Sequence, residues 1–161
     1  MGYLAEFLRE TITRRDADRP AKEKIREEWV QTVARLIEEL KGWVEESNVE
    51  NLLTCRTFEG WVGEEGLGRY KAPGLIVELD GEQVFISARG RNVLGFIRES
   101  PAGPEVRAEG RVDVTNNRIT FSLLRASTSD SHEWYVYDDL TGLSKPLTQN
   151  TFEAILVSLL K

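Results

Sequence analysis

The first third of the chain carries apolar residues at helical spacing. In the segment 3–15 they recur at i, i+3, i+4 and i+8, which places them on one face of a helix. They are Leu4, Phe7, Leu8 and Ile12. The polar run 16–19 interrupts the pattern, and Pro20 suits the first turn of a new helix, where its missing N–H is not needed. Apolar spacing resumes over 20–46, so the sequence predicts two helices within 1–53.

The second predicted helix has a wide apolar face. Its main stripe consists of Ile25, Trp29, Val33, Leu36, Leu40 and Trp43. A flanking stripe of Val30, Ile37 and Val44 at heptad spacing widens this face beyond a coiled-coil seam. This is more apolar surface than one sheet face is expected to cover. We therefore expect Val30, Ile37 and Val44 to form an interface in a homodimer.

From residue 54 onward, alternating apolar and polar positions are typical of strands. The predicted strands lie at 58–62, 75–79, 82–88, 93–97, 106–115, 118–126 and 134–138, a run of about six short strands. Five glycines within 60–74 indicate a loop between the first two strands.

Turn residues predict two hairpins and their registers. Asp80-Gly81 predicts a two-residue turn, and Asn116-Asn117 predicts another within 106–126. The expected cross-strand pairs are Leu75 with Ile86, Val77 with Val84, Ile76 with Phe85, Val114 with Ile119, and Val112 with Phe121. In the second hairpin one face is apolar and the other polar, so we expect one sheet face to lie against helices and the other to face water.

The end of the chain predicts an amphipathic helix over 148–160, with Thr148 as its N-cap. Helices, then strands, then a helix is the order of an α+β domain with an antiparallel sheet. The sequence thus predicts one domain over 1–161. It would have two N-terminal helices in 1–53, about six strands in a meander of hairpins over 54–139, and the C-terminal helix packed on the sheet.

Composition narrows the classes of partner. The 161 residues include 21 Lys and Arg against 27 Asp and Glu, a formal charge of −6, which argues against binding to nucleic acid or an anionic membrane. Arginines do outnumber acids locally, over 87–126. No apolar run approaches the roughly 18 residues of a membrane span, and the first ten residues do not resemble a signal peptide. The single cysteine, Cys55, points to the cytoplasm.

Arg125, His132 and Asp138 are candidates for ligand binding. By strand alternation Arg125 starts on the core face at a strand end, where its guanidinium would either reach out to water or pair with Asp130 or Asp138. His132, the only histidine, could act as a general base beside neighbouring acids. The serines around it are too close in sequence to form a catalytic triad. With one histidine and one cysteine, we expect no metal site, and no motif calls for a cofactor.

No catalytic constellation emerges from these patterns. We therefore expect a small acidic cytoplasmic protein with a non-enzymatic role in protein binding or assembly, by self-association or with a protein partner. The alternative hypothesis is a small-molecule-binding or enzymatic domain, with a cavity between helix and sheet near Arg125 and His132.

Overall fold

A seven-stranded antiparallel sheet with helices packed on one face forms the centre of the structure. The computed structural model describes residues 2–126 and 132–161. The helices are α1 (Tyr3–Ser47) and α2 (Gln149–Leu160), and a 3-10 turn spans Val49–Asn51. The strands are β1 (Thr54–Glu64), β2 (Gly68–Leu79), β3 (Glu82–Gly90), β4 (Phe96–Ile97), β5 (Val106–Arg107), β6 (Arg111–Thr115), β7 (Thr120–Arg125), β8 (Trp134–Tyr137) and β9 (Ser144–Pro146). The main sheet has the order β1-β2-β3-β6-β7-β8-β9, and β4 pairs with β5 in a separate small sheet.

The α+β class and the C-terminal helix are confirmed, but the prediction of two N-terminal helices is wrong. α1 is one helix of 45 residues with Pro20 inside it. The polar run before Pro20 lies in a part of α1 whose residues are all exposed, and the loss of apolar periodicity there does not end the helix. Asp16 and Arg19 form an ion pair of 3.1 Å one turn apart, next to the hydrogen bond that proline cannot make.

The prediction of about six strands also needs correction, because the main sheet has seven. The sequence does not predict β9, whose three residues are too few to show alternation. The predicted strand 93–97 contributes only β4, outside the main sheet. Residues 60–74, predicted as a loop, mostly belong to the long hairpin of β1 and β2. Gly74 serves close packing there, since a Cβ on it would lie 2.4 Å from the Phe58 ring.

The two predicted hairpin registers have different outcomes. Between β2 and β3, Leu75 pairs with Ile86, as predicted from the Asp80-Gly81 turn. Between β6 and β7 the prediction is wrong by two residues, because Val114 pairs with Phe121 and not with Ile119. The Asn116 side chain accepts hydrogen bonds from the N–H groups of residues 118 and 119, which stabilises a longer turn. A shift of two keeps every strand residue on its predicted face.

The main core lies between the helices and the inner face of the sheet. It contains one face of α1 from Trp29 onward, one face of α2, and alternate residues of the strands. Its largest fully buried side chains are Trp29, Phe152, Leu36, Ile37, Leu40, Leu75, Ile86, Leu123 and Leu159. α2 begins with the predicted cap, in which Thr148 and Thr151 form a reciprocal capping box.

A second, smaller core covers part of the outer sheet face, which the sequence predicts to face water. The small sheet of β4 and β5 packs there, and the buried residues are Ile97, Ala108, Leu124, Ala126 and Tyr135. Asp113 on the same face is only 7% exposed. Its carboxylate accepts a 2.8 Å hydrogen bond from Arg111 Nε and lies 3.5 Å from Arg89 Nε. The one carboxylate of Asp113 is therefore shared between two arginines.

Candidate functional site

Arg125 lies at the end of β7 with its side chain only 14% exposed. Its Nε donates a 3.0 Å hydrogen bond to Glu133 Oε1. Of the partners predicted for it, Asp130 lies outside the described residues, and Asp138 accepts a hydrogen bond from the N–H of Leu140. The guanidinium thus has its negative partner on the adjacent chain segment and not across a pocket.

His132 and Asp138 lie beyond the two ends of β8, six positions apart, which is about 20 Å of extended chain. His132 is exposed, and its ring lies edge-on to Tyr135 at 6.2 Å between centroids. The structure therefore does not gather Arg125, His132 and Asp138 into one cluster. Their prediction as ligand-binding residues stays a prediction.

Asp138 borders an open cavity of about 700 Å³ beside β8, β9 and α2. Its walls are mainly apolar and include Phe121, Val136, Leu143 and Ile155, whereas Arg125 and His132 do not line it. The carboxylates at the rim, Asp138 and Asp139, belong to exposed residues. This cavity therefore offers mainly apolar surface.

Cys55 on β1 is the chain's one thiol, and it is half-buried. Burial raises the pKa of this thiol above its ordinary value, and the nearby Glu45 carboxylate raises it further. A thiol that keeps its proton is a poor nucleophile and a poor metal ligand. Cys55 is therefore a packing residue.

A hydrogen-bond network around Glu64 ties the tip of the first hairpin to the end of β3. Glu64 Oε1 accepts from the N–H groups of Arg91 at 2.9 Å and Asn92 at 2.8 Å, and Oε2 accepts from the hydroxyl of Tyr70. Burial raises the pKa of Tyr70 above its ordinary value, and the hydrogen bond to Glu64 adds to the shift. The network holds the hairpin in place, which is a structural role.

The raised pKa of Tyr70 predicts that stability falls at high pH. Above about pH 10 the unfolded chain releases the tyrosine proton while the folded chain keeps it. The free energy of unfolding should then fall by up to about 1.4 kcal/mol per pH unit from this group. Urea denaturation of wild type and Tyr70→Phe at about pH 9 and about pH 11 checks this. The wild type should lose more stability than the variant over that interval, and equal losses would contradict the assignment.

The predicted interface residues of α1 face the core of their own chain. Ile37 and Val44 are 1% and 2% exposed, and Val30 is half-buried. The exposed apolar surface of this helix lies nearer its beginning.

Residues 3–24 of α1, here called the arm, project beyond the sheet for about 33 Å at 1.5 Å per residue. Every residue of the arm is exposed except Ala5 and Thr11, which are half-buried. Its large apolar side chains are 48–92% exposed, and they are Tyr3, Leu4, Phe7, Leu8 and Ile12. Four of them, Leu4, Phe7, Leu8 and Ile12, lie along one stripe of the helix, whereas Tyr3 is nine residues from Ile12 and so points to the opposite side from it. Scattered exposed leucines are ordinary, but a contiguous exposed apolar stripe is unusual on a protein surface.

At 3.6 residues per turn in a straight helix, the apolar stripe of the arm falls in line with the face of α1 that packs on the sheet. Leu4 and Leu40 are 36 positions apart, and so are Leu8 and Val44, which is about ten turns at 3.6 residues per turn. Leu40 and Val44 are buried against the core. The apolar spacing in the sequence predicts the stripe at residues 4–12 but does not predict that it is exposed. A sequence feature that could have indicated this exposure is the polar stretch 13–24, which separates the stripe from the next large apolar residue, Ile25.

Searches for relatives and for cofactor sites give no further assignment. No protein-family model, no curated protein and no solved structure matches this chain. Within residues 2–126 and 132–161, no group of three or more His, Cys, Asp or Glu side chains could hold a metal ion. In the same part of the chain, no helix has the length and apolar character needed to cross a membrane.

Proposed function

We propose that the protein is a non-enzymatic assembly domain that associates with itself through the arm. The observation that carries this proposal is the stripe of exposed apolar residues Leu4, Phe7, Leu8 and Ile12, on a helix segment that no other part of residues 2–126 and 132–161 covers. Most helical stability in proteins comes from packing of an amphipathic face. An arm of 22 residues that contains a proline lacks that support until a partner supplies it.

The exposed area of the stripe fits a weak, transient interface. With roughly 200 Å² for a whole large apolar side chain, the exposed fractions of Leu4, Phe7, Leu8 and Ile12 amount to about 450 Å² per chain. Two arms that cover each other would bury up to about 900 Å², which is in the range of weak and transient protein interfaces. We therefore expect a dimer that dissociates on dilution.

A protein partner also fits the charge of the molecule. A net charge of −6 disfavours phosphate backbones and anionic membranes, and the arm itself is nearly neutral, with six basic and five acidic residues over 3–24. A cytoplasmic location is part of the same proposal. It rests on the single half-buried cysteine, which cannot form an intrachain disulfide.

Sedimentation velocity over a range of protein concentrations tests this function. The wild type should shift from monomer to dimer as concentration rises, and the variant Leu4→Glu/Leu8→Glu should stay monomeric because two carboxylates would be buried in the interface. The matched control is Thr13→Glu/Ala17→Glu. Each of its positions is nine residues, or two and a half turns, beyond the corresponding leucine, on the opposite side of the helix.

Thermal unfolding separates association from folding in this experiment. Because the arm does not contact the core, both double variants should unfold near the temperature of the wild-type monomer, measured at a concentration at which the wild type is dissociated. A wild type that stays monomeric at every concentration would refute the proposal. A Leu4→Glu/Leu8→Glu variant that still dimerises would refute the role of the stripe.

A further inference from the structure

We propose that two copies pair their arms in antiparallel orientation, with Leu8 of each copy near the two-fold axis. This inference rests on the proposed function, and it names the partner and its direction. The stripe runs from Leu4 to Ile12, so its midpoint lies at Leu8. In an antiparallel pair centred there, residue i lies opposite residue 16 − i, and Leu4 of one copy meets Ile12 of the other.

The position of the sheet excludes the parallel alternative. In a straight α1 the stripe and the sheet lie on the same side of the helix. In a parallel pair that joins the two stripes, the sheet-bearing faces of the two helices would therefore also face each other. Packed helices are about 8–10 Å apart. A sheet that packs on α1 from Ile25 onward would then occupy the space of the other copy's helix and sheet. Two straight parallel helices cannot pair through this stripe.

Antiparallel pairing avoids this collision. Tyr3 of one copy lies opposite Thr13 of the other, which is 12 residues or about 18 Å short of Ile25. The two sheets then sit at opposite ends of the paired arms and do not meet.

Charge along the arm points to the same orientation. Arg15 and Lys22 lie in line with Leu4, at 11 and 18 positions or about three and five turns. In a parallel pair each of these residues would face the same residue of the other chain, which places two positive charges together in the helix interface. In the antiparallel pair both lie beyond the far end of the partner's stripe and remain in water.

The dimer then presents two sheets at a fixed spacing. Lys24 at the end of the arm is 16 residues from Leu8, so the two Lys24 positions should be about 48 Å apart along the axis. In a parallel pair they would lie within about 20 Å, given adjacent helices. A molecule of this shape holds two identical sheet domains at the ends of a short rod.

The test uses a Cys55→Ser background, so that each chain carries one introduced thiol. Spin labels on Lys24→Cys should give a distance near 48 Å between copies, measured by double electron–electron resonance. A short bismaleimide should cross-link a mixture of Leu4→Cys and Ile12→Cys chains more than either chain alone.

The outcomes separate this inference from the function on which it rests. A long label distance and mixed cross-links support the antiparallel pair. If the protein sediments as a dimer but the label distance is short and each cysteine variant cross-links as well alone as in the mixture, the antiparallel orientation is wrong and the assembly function stands. A monomer at every concentration overturns both.

Discussion

Replacing Gly110 with alanine should lower the free energy of unfolding by about 3 kcal/mol, which corresponds to about 10 °C in Tm for a chain of this size. A Cβ on Gly110 would lie 2.3 Å from Cζ3 and 2.5 Å from Cη2 of Trp29. The tryptophan has little room to move, because it is 1% exposed and its ring packs at 6.1 Å from that of Trp134.

The backbone at Gly110 cannot yield easily either. Its carbonyl accepts a 2.9 Å hydrogen bond from the N–H of Arg125, and the neighbouring N–H of Glu109 donates to the Arg125 carbonyl at 2.8 Å. A shift that relieves the contact with Trp29 would lengthen both bonds. Steric overlap must therefore be absorbed by the core between α1 and the sheet, and overpacked cores are destabilised.

Two further variants separate this contact from the general effect of adding a methyl group. Gly63→Ala makes the same change within strand β1, where a Cβ meets no atom within 4 Å, and it should alter stability by less than about 1 kcal/mol. In a Trp29→Leu background, Gly110→Ala should cost much less than in the wild type, because the smaller side chain leaves space. Urea denaturation of the four chains of this cycle measures the coupling. Additive effects of the two substitutions would contradict the contact.

The Gly110 contact is a part of the fold that a local sequence pattern cannot predict, in contrast to the Asp80-Gly81 turn. Asp80-Gly81 specifies its hairpin because both residues adopt the positive φ that the tight turn requires, 48° and 86°. Gly110 owes its identity to Trp29, 81 positions away in the chain. No pattern over neighbouring residues contains that information, because it depends on how α1 lies across the sheet.

The same distinction explains the errors in α1 and at the candidate site. Apolar spacing predicts one helix face for Leu4 and Leu8 and another, in a separate helix, for Leu40, but spacing alone cannot show which face is covered. Arg125 is similar: alternation correctly places it at a strand end on the core face, whereas its partner, Glu133, depends on the path of the chain between β7 and β8. Periodicity predicts faces, and tertiary packing decides what each face meets.

Replacing Glu64 with alanine should lower the free energy of unfolding by about 2–3 kcal/mol, because it leaves three donors without their acceptor. These are the backbone N–H groups of Arg91 and Asn92 and the hydroxyl of Tyr70, a residue that is only 7% exposed. Gly90 shows how closely the carboxylate approaches β3, since a Cβ there would lie 2.9 Å from Glu64 Oε1.

Matched variants show whether the acceptor oxygens carry this effect. Glu64→Gln keeps a carbonyl oxygen that can accept from both backbone N–H groups, so it should cost only about 1 kcal/mol. Glu59→Ala, an exposed glutamate on the same strand, should change stability by less than about 0.5 kcal/mol. Hydrogen exchange gives a local readout, because the amides of Arg91 and Asn92 should lose protection in Glu64→Ala and retain most of it in Glu64→Gln. If the amides of Arg91 and Asn92 keep wild-type protection in Glu64→Ala as well as in Glu64→Gln, the carboxylate does not stabilise this end of β3 and the prediction is wrong.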